Sequence, residues 1–206
     1  MNHILDPLER KWQAEISSCT PPPASVGGAQ FFAWDEDPQG EGTVVCIGAN
    51  YGQFPTTVSH HPTKLKSGLA SWMSNYRHAV QEIGKSPWSS EWPNRGWLRG
   101  TTPPSRPRYF VMSNVVPWIT SRAWTLLPEA ETSLLAHDSA PLAAGYLADL
   151  RSSLPEAFAV GHGIDDQTLP YLPGAVSRWS NWMLYANLSF RQTPSRWNAG
   201  AGRFVF

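Results

Sequence analysis

The chain has 206 residues, a formal net charge of zero and only 16% charged residues. The length suffices for one substantial core, so a single domain over residues 1–206 is expected. Bulk charge of this kind predicts neither a nucleic-acid binder nor a membrane-surface protein, and any nucleic-acid role must rest on local patches.

The 19 prolines and 11 tryptophans imply much ordered loop, with indole rings packing the core, pinning loops or lining a groove. Only Cys19 and Cys46 are present, too few for a disulfide framework or a four-thiolate iron–sulfur cluster. Met1 to Trp12 is charged and lacks an apolar signal core, and no stretch approaches membrane-spanning length. These features predict a soluble cytoplasmic protein in a reducing compartment, with no membrane partner and no cofactor.

In chain order, residues 3 to 17 read as an amphipathic helix carrying Ile4, Leu5, Leu8, Trp12 and Ile16 on one face. Thr20 to Gly28 reads as a Pro/Gly/Ser loop, and Asp35-Glu36-Asp37 as a solvated acidic turn. Val44 to Ala49 is an apolar β-branched run suited to a strand buried on both faces. Lys64 to Ile83 has helical spacing, closed by Gly84. A Pro/Trp/Arg-rich loop fills 85–108. A second strand covers Arg108 to Trp118, helices cover about 129–137 and 140–153, and a third strand covers Ala157 to Val160. A short helix over 164–169 and a fourth strand from Trp182 to Ala186 complete the pattern. The β-α-β-α-β-α-β order predicts an α/β protein, a three-layer α/β/α sandwich around a four-stranded parallel sheet.

Each strand runs into polar or glycine residues. The first ends in Gly48-Ala49-Asn50-Tyr51-Gly52, the second carries Asn114, the third ends in Gly161-His162-Gly163 and the fourth in Asn187-Leu188-Ser189. Ligands in open α/β sheets bind beyond the carboxyl ends of the strands, so parallel strands would bring these groups to one edge. Glycines there allow sharp turns and close ligand approach.

Three of these segments resemble motifs of the uracil-DNA glycosylase superfamily, closest to its mismatch-specific and single-strand-selective branches. Gly48-Ala49-Asn50-Tyr51-Gly52 is similar to the first motif, with tyrosine in place of proline. Ser113-Asn114-Val115-Val116-Pro117 resembles the segment that reads the uracil edge. Asn187-Leu188-Ser189 resembles the last motif, again without its proline. The resemblance implies a metal-independent enzyme that hydrolyses the N-glycosidic bond of uracil or a related damaged base in DNA. It implies that Asn50 orients the attacking water, that Asn114 reads the base, and that Asn187 and Ser189 hold a phosphate or the departing base. Tyr51 or Phe54 would stack on the extruded base.

The chemistry of the residues fits in part. An asparagine carbonyl orients water but is a poor general base, so catalysis would come from positioning and from stabilising the leaving base. An amide also offers a donor and an acceptor to a pyrimidine edge. The bland alternatives stay open: turn asparagines tolerate left-handed backbone, His162 also suits a simple loop, and Asn114 could be paired within the strand layer.

The loop 85–108 interleaves Lys85, Arg95, Arg99, Arg106 and Arg108 with Trp88, Trp92 and Trp97, and Arg178, Arg191 and Arg196 lie near the last motif. Bases and rings in this arrangement suit a single-strand groove, so Arg95, Trp97, Arg99 and Arg191 are expected DNA contacts. The same arginines could instead solvate the surface. His60-His61 lacks accompanying ligands for a metal site, Asp165-Asp166 fits a helix N-terminus, and Ser59 belongs to no Ser-His-Asp arrangement. Two other readings compete: a non-catalytic module binding nucleic acid or protein, and a glycosidase for free nucleosides.

Overall fold

The computed structural model describes residues 5–23, 25–50, 98–99, 104–122, 124–162, 168, 170–171 and 178–185. In these residues α1 is Asp6–Ser17 and α2 is Glu129–Ser153. The strands are β1 Ser25–Ala29, β2 Ala33–Glu36, β3 Thr43–Asn50, β4 Leu98–Arg99, β5 Tyr109–Val116, β6 Trp118–Thr120, β7 Phe158–His162 and β8 Asn181–Tyr185.

One sheet has six strands in the order β2-β5-β3-β7-β8-β4. Its inner strands β5, β3, β7 and β8 run parallel, whereas β2 is antiparallel to β5 and β4 is antiparallel to β8. β1 and β6 form a separate antiparallel ribbon. The expected three-layer, uracil-DNA glycosylase-like arrangement around a four-stranded parallel sheet is therefore corrected. The sheet is larger and mixed, a second sheet is present, and both described α-helices lie on one face. The physical reason lies at the sheet edges. A long apolar strand such as β5 cannot leave its outer row of amides and carbonyls bare, and β2 covers it.

β2 was hidden in the sequence by its charges. Asp35 and Glu36, read as a solvated turn, lie in this edge strand, where charged side chains are tolerated. Asp37 takes a two-pronged bond from Arg106, Nε to Oδ2 at 2.7 Å and Nη2 to Oδ1 at 3.1 Å. Arg108 reaches Glu36 at 3.4 Å. Arg106 and Arg108, expected in a basic nucleic-acid loop, thus sit at the amino end of β5, paired with the acidic turn.

Residues 37–42 then carry the chain across the start of β5 to begin β3. The Glu41 amide donates to the Arg106 carbonyl and the Tyr109 amide to the Gly42 carbonyl. Gly42 has φ of +69°, and a Cβ at Gly40 would strike the Pro107 carbonyl, so both positions need glycine. The second expected strand is also divided. Pro117 has no amide hydrogen and ends β5, and the chain resumes as β6. Conversely, the two helices expected around 129–153 are one. Pro141 removes one helical bond at an exposed turn, and the helix continues through it.

The main core lies between the sheet and the helices. Val45, Ile47, Val111, Val115 and Ala159 project from one face onto Leu135, Tyr146, Leu147 and Leu150 of α2. Phe31, Phe32, Trp12 and Tyr146 pack edge-on or tilted, with ring centroids 5.1 to 6.3 Å apart. α1 docks on α2 through Trp12, whose indole lies over Gly145 where a Cβ would collide with it. The indole nitrogen and Lys11 Nζ both donate to Asp149, at 2.9 and 2.7 Å. Tyr146 donates its hydroxyl hydrogen to the Asn114 carbonyl, with the Val115 carbonyl 3.1 Å away. Ser113 donates to the Phe31 carbonyl at 2.9 Å. These hydroxyls serve β5 where β2 no longer runs beside it. The opposite face carries Val44, Cys46, Phe110, Met112, Phe158 and Val160, all buried. No described helix is long and apolar enough to cross a membrane.

Glu9 of α1 accepts a bond from Gln30 at 3.0 Å. Burial, with the nearby Asp6 charge adding to it, pushes its carboxyl up from 4.5 to about 7. The folded protein therefore holds a proton that the unfolded chain releases. The contribution of Glu9 to stability should be largest below pH 4.5, fall as pH rises to about 7 and stay lower above it. Glu9→Gln should flatten this profile and exceed the parent by about 1–2 kcal/mol at about pH 8, measured by urea denaturation.

Candidate functional site at the carboxyl end of the parallel strands

The parallel register places the polar strand ends in adjacent rows. Gly48 of β3 pairs with Asn114 of β5, and Asn50 with Val116. Ile47 pairs with Gly161 of β7, and His162 follows it as the last residue of that strand. Side chains alternate along a strand, so Asn114 shares its face with Met112 and with Cys46, the register partner of Met112. That is the face away from α1 and α2. Gly48 places no side chain beside Asn114.

Asn50 is 7% exposed and has a clear structural role. Its Nδ2 donates to the Val116 carbonyl at 3.0 Å and to the Trp118 carbonyl at 2.8 Å. These carbonyls flank Pro117, so one amide bridges the break between β5 and β6. The Asn50 Oδ1 lies 3.5 Å from Thr120 Oγ1, whose hydroxyl makes its shorter contact, 2.6 Å, with the Arg122 carbonyl. Sequence reasoning located Asn50 but missed this use of it. The proline three positions past Asn114 was the available signal.

Asn114 is the opposite case. It is 1% exposed, and neither its Nδ2 nor its Oδ1 has a hydrogen-bond partner. Buried polar side chains are nearly always paired, and leaving such a group unpaired costs about 1–3 kcal/mol. The side chain thus presents one amide donor and one acceptor, side by side, from a strand that is otherwise apolar on this face. Such a group is complementary to another amide or imide edge. Cys46, two residues before Gly48, supplies no nucleophile, because full burial pushes its thiol pKa up and keeps it protonated.

Of the other expected site residues, Arg99 is placed by its backbone in β4, at the sheet edge beside β8. His162 ends β7 in register with Tyr185. Tyr51, Phe54, Arg95, Trp97, Asn187, Ser189 and Arg191 lie outside the described residues, as do Ser59, His60, His61, Asp165, Asp166, Arg196, the expected helix over 64–83 and, apart from residue 168, the expected helix over 164–169. The structure therefore brings together Asn50, Gly48 and Asn114. No cluster of three or more His, Cys, Asp or Glu suited to a metal occurs among the described residues.

No protein-family model, curated protein or solved structure matches this chain.

The two asparagines should respond oppositely to substitution. Asn50→Ala removes the side-chain donor to the Val116 and Trp118 carbonyls and should cost about 2 kcal/mol in urea denaturation. Asn114→Leu replaces an unpaired amide with an apolar group of similar size and should stabilise the fold by about 1–3 kcal/mol, raising the midpoint without changing the slope.

Proposed function

We propose that the carboxyl end of the parallel strands binds a nucleic-acid base and that the chain hydrolyses its N-glycosidic bond in DNA. The observation that carries this reading is Asn114, an amide held in a buried position with both of its polar atoms unpaired. A group of this kind reduces stability unless something else uses it. A uracil-like base offers a matching carbonyl and N–H on one edge. The proposal includes kinship with uracil-DNA glycosylases at the level of the motifs Gly48–Gly52 and Ser113–Pro117, and does not rest on the fold.

In this reading the base leaves the stack and docks against Asn114, with Gly48 leaving room beside it. Asn114 Nδ2 donates to a base carbonyl, a bond that strengthens as negative charge develops on the departing base. Asn50, its orientation fixed by the two bonds it donates, directs its Oδ1 toward the attacking water. Since an amide does not take up the proton, the attacking water's proton passes to the departing base anion as the C–N bond breaks, and rate enhancement comes from positioning and from stabilising the leaving group. Tyr51 or Phe54 stacks on the base, Asn187 and Ser189 hold the leaving base or a phosphate, and Arg95, Trp97, Arg99 and Arg191 follow the strand.

A second reading is a non-catalytic module that binds a base without cleaving it. It is favoured by Asn50, whose two donated hydrogen bonds account for its presence with no reaction at all.

The deciding measurement is release of an abasic site from labelled single- and double-stranded oligonucleotides carrying uracil, hypoxanthine or xanthine. The parent protein should generate alkali-labile breaks, and Asn114→Ala should lower the rate about a hundredfold or more. Salt-sensitive binding that requires Asn114, with no breaks on any substrate, would establish the second reading. Neither breaks nor binding would overturn both.

A further inference from the structure

A groove of about 200 Å³ lies on the helix side of the sheet, away from the face that carries Asn114. Its floor includes Ala140, Ala144 and Ala148, one turn apart along α2, and it is bounded by Tyr171, Arg151 and Arg178. The alanines leave a slim apolar channel where longer side chains would fill it.

The two arginines are the unusual feature. Arg178 is exposed. Arg151 has its Nε buried with no acceptor, and its Nη1 reaches only the Arg178 carbonyl, at 3.4 Å. Neither guanidinium has an acidic partner among the described residues. A buried guanidinium N–H without an acceptor is costly, and a planar carboxylate is the anion that such a fork pairs with most directly.

We propose that this groove binds a small organic carboxylate, with its charge on Arg151 and Arg178 and its apolar body along the alanines. Both halves are needed. A bare inorganic anion would leave the alanine floor uncovered, and a neutral apolar molecule would leave the Arg151 Nε unpaired. The groove is separate from Asn114 and stands whether or not a base binds there.

Hexanoate is a suitable probe, titrated into the full chain and followed by amide chemical shifts in ¹⁵N-labelled protein. Saturable shifts are expected around Ala144 and Tyr171. Arg178→Gln and Arg151→Gln should each weaken binding about tenfold or more, the loss expected for a charge-assisted pair. Ala144→Phe, at an exposed helical position, should block the groove while leaving both charges in place, which keeps the test informative if Arg151→Gln fails to fold. Hexan-1-ol and inorganic phosphate should bind at least about tenfold more weakly than hexanoate. Absence of saturable hexanoate binding would overturn the proposal. So would binding unchanged in Arg178→Gln and Ala144→Phe, or phosphate binding as tightly as hexanoate.

Discussion

The proline at position 117 sets the constraint around which the candidate site is organised. It stops β5 in mid-course and leaves carbonyls on either side of the break that need donors. Asn50, arriving at the end of the neighbouring parallel strand, supplies both hydrogens of one amide to those carbonyls. Nearby, Tyr146 and Ser113 supply hydroxyls where β2 has ended. The end of β5 is thus held by side-chain donors rather than by continued strand pairing.

Against this background Asn114 stands apart. The polar side chains around it are engaged with backbone carbonyls, Asn50 at the proline break, Ser113 at Phe31 and Tyr146 at Asn114 itself. The Asn114 amide, in the same small region, has no such partner. Among the described side chains of this sheet, donors are directed to backbone carbonyls, and the amide left without a partner is that of Asn114. That contrast gives the site its chemical character, more than any one motif does.

Apolar runs made much of the sheet legible in advance. β3 was readable from Val44 to Ala49, one residue short at each end, because its apolar and β-branched content suits a strand covered on both sides, and β5, β7 and β8 were found by similar cues. What could not be read was pairing. β1 hides in a Gly-containing stretch taken for loop, and β2 hides behind two carboxylates that an edge strand accepts readily. Arg106 and Arg108 looked like phosphate-binding groups because their partners, Asp37 and Glu36, lie some seventy positions away in sequence. The two helices expected at about 129–137 and 140–153 are one, because a single proline at an exposed turn removes one bond without ending the helix. At the site, both asparagines were located by their places at strand ends. Their difference in hydrogen bonding was invisible, because it depends on carbonyls contributed by other segments.

The crossing of residues 37–42 over the start of β5 also bears on how the chain reaches its fold. β2 and β3 are close in sequence yet never pair, since β5 lies between them. During synthesis both emerge long before β5, with no correct partner for the sides they will later offer to it. Until β5 inserts, β3 exposes an apolar edge beside the edge of β2, an arrangement open to premature pairing with each other or with another chain. Closure of this part of the sheet must therefore wait for a distant segment. It joins the slow class of folding events, in which the entropy of a long loop is lost before the contacts that compensate it are made.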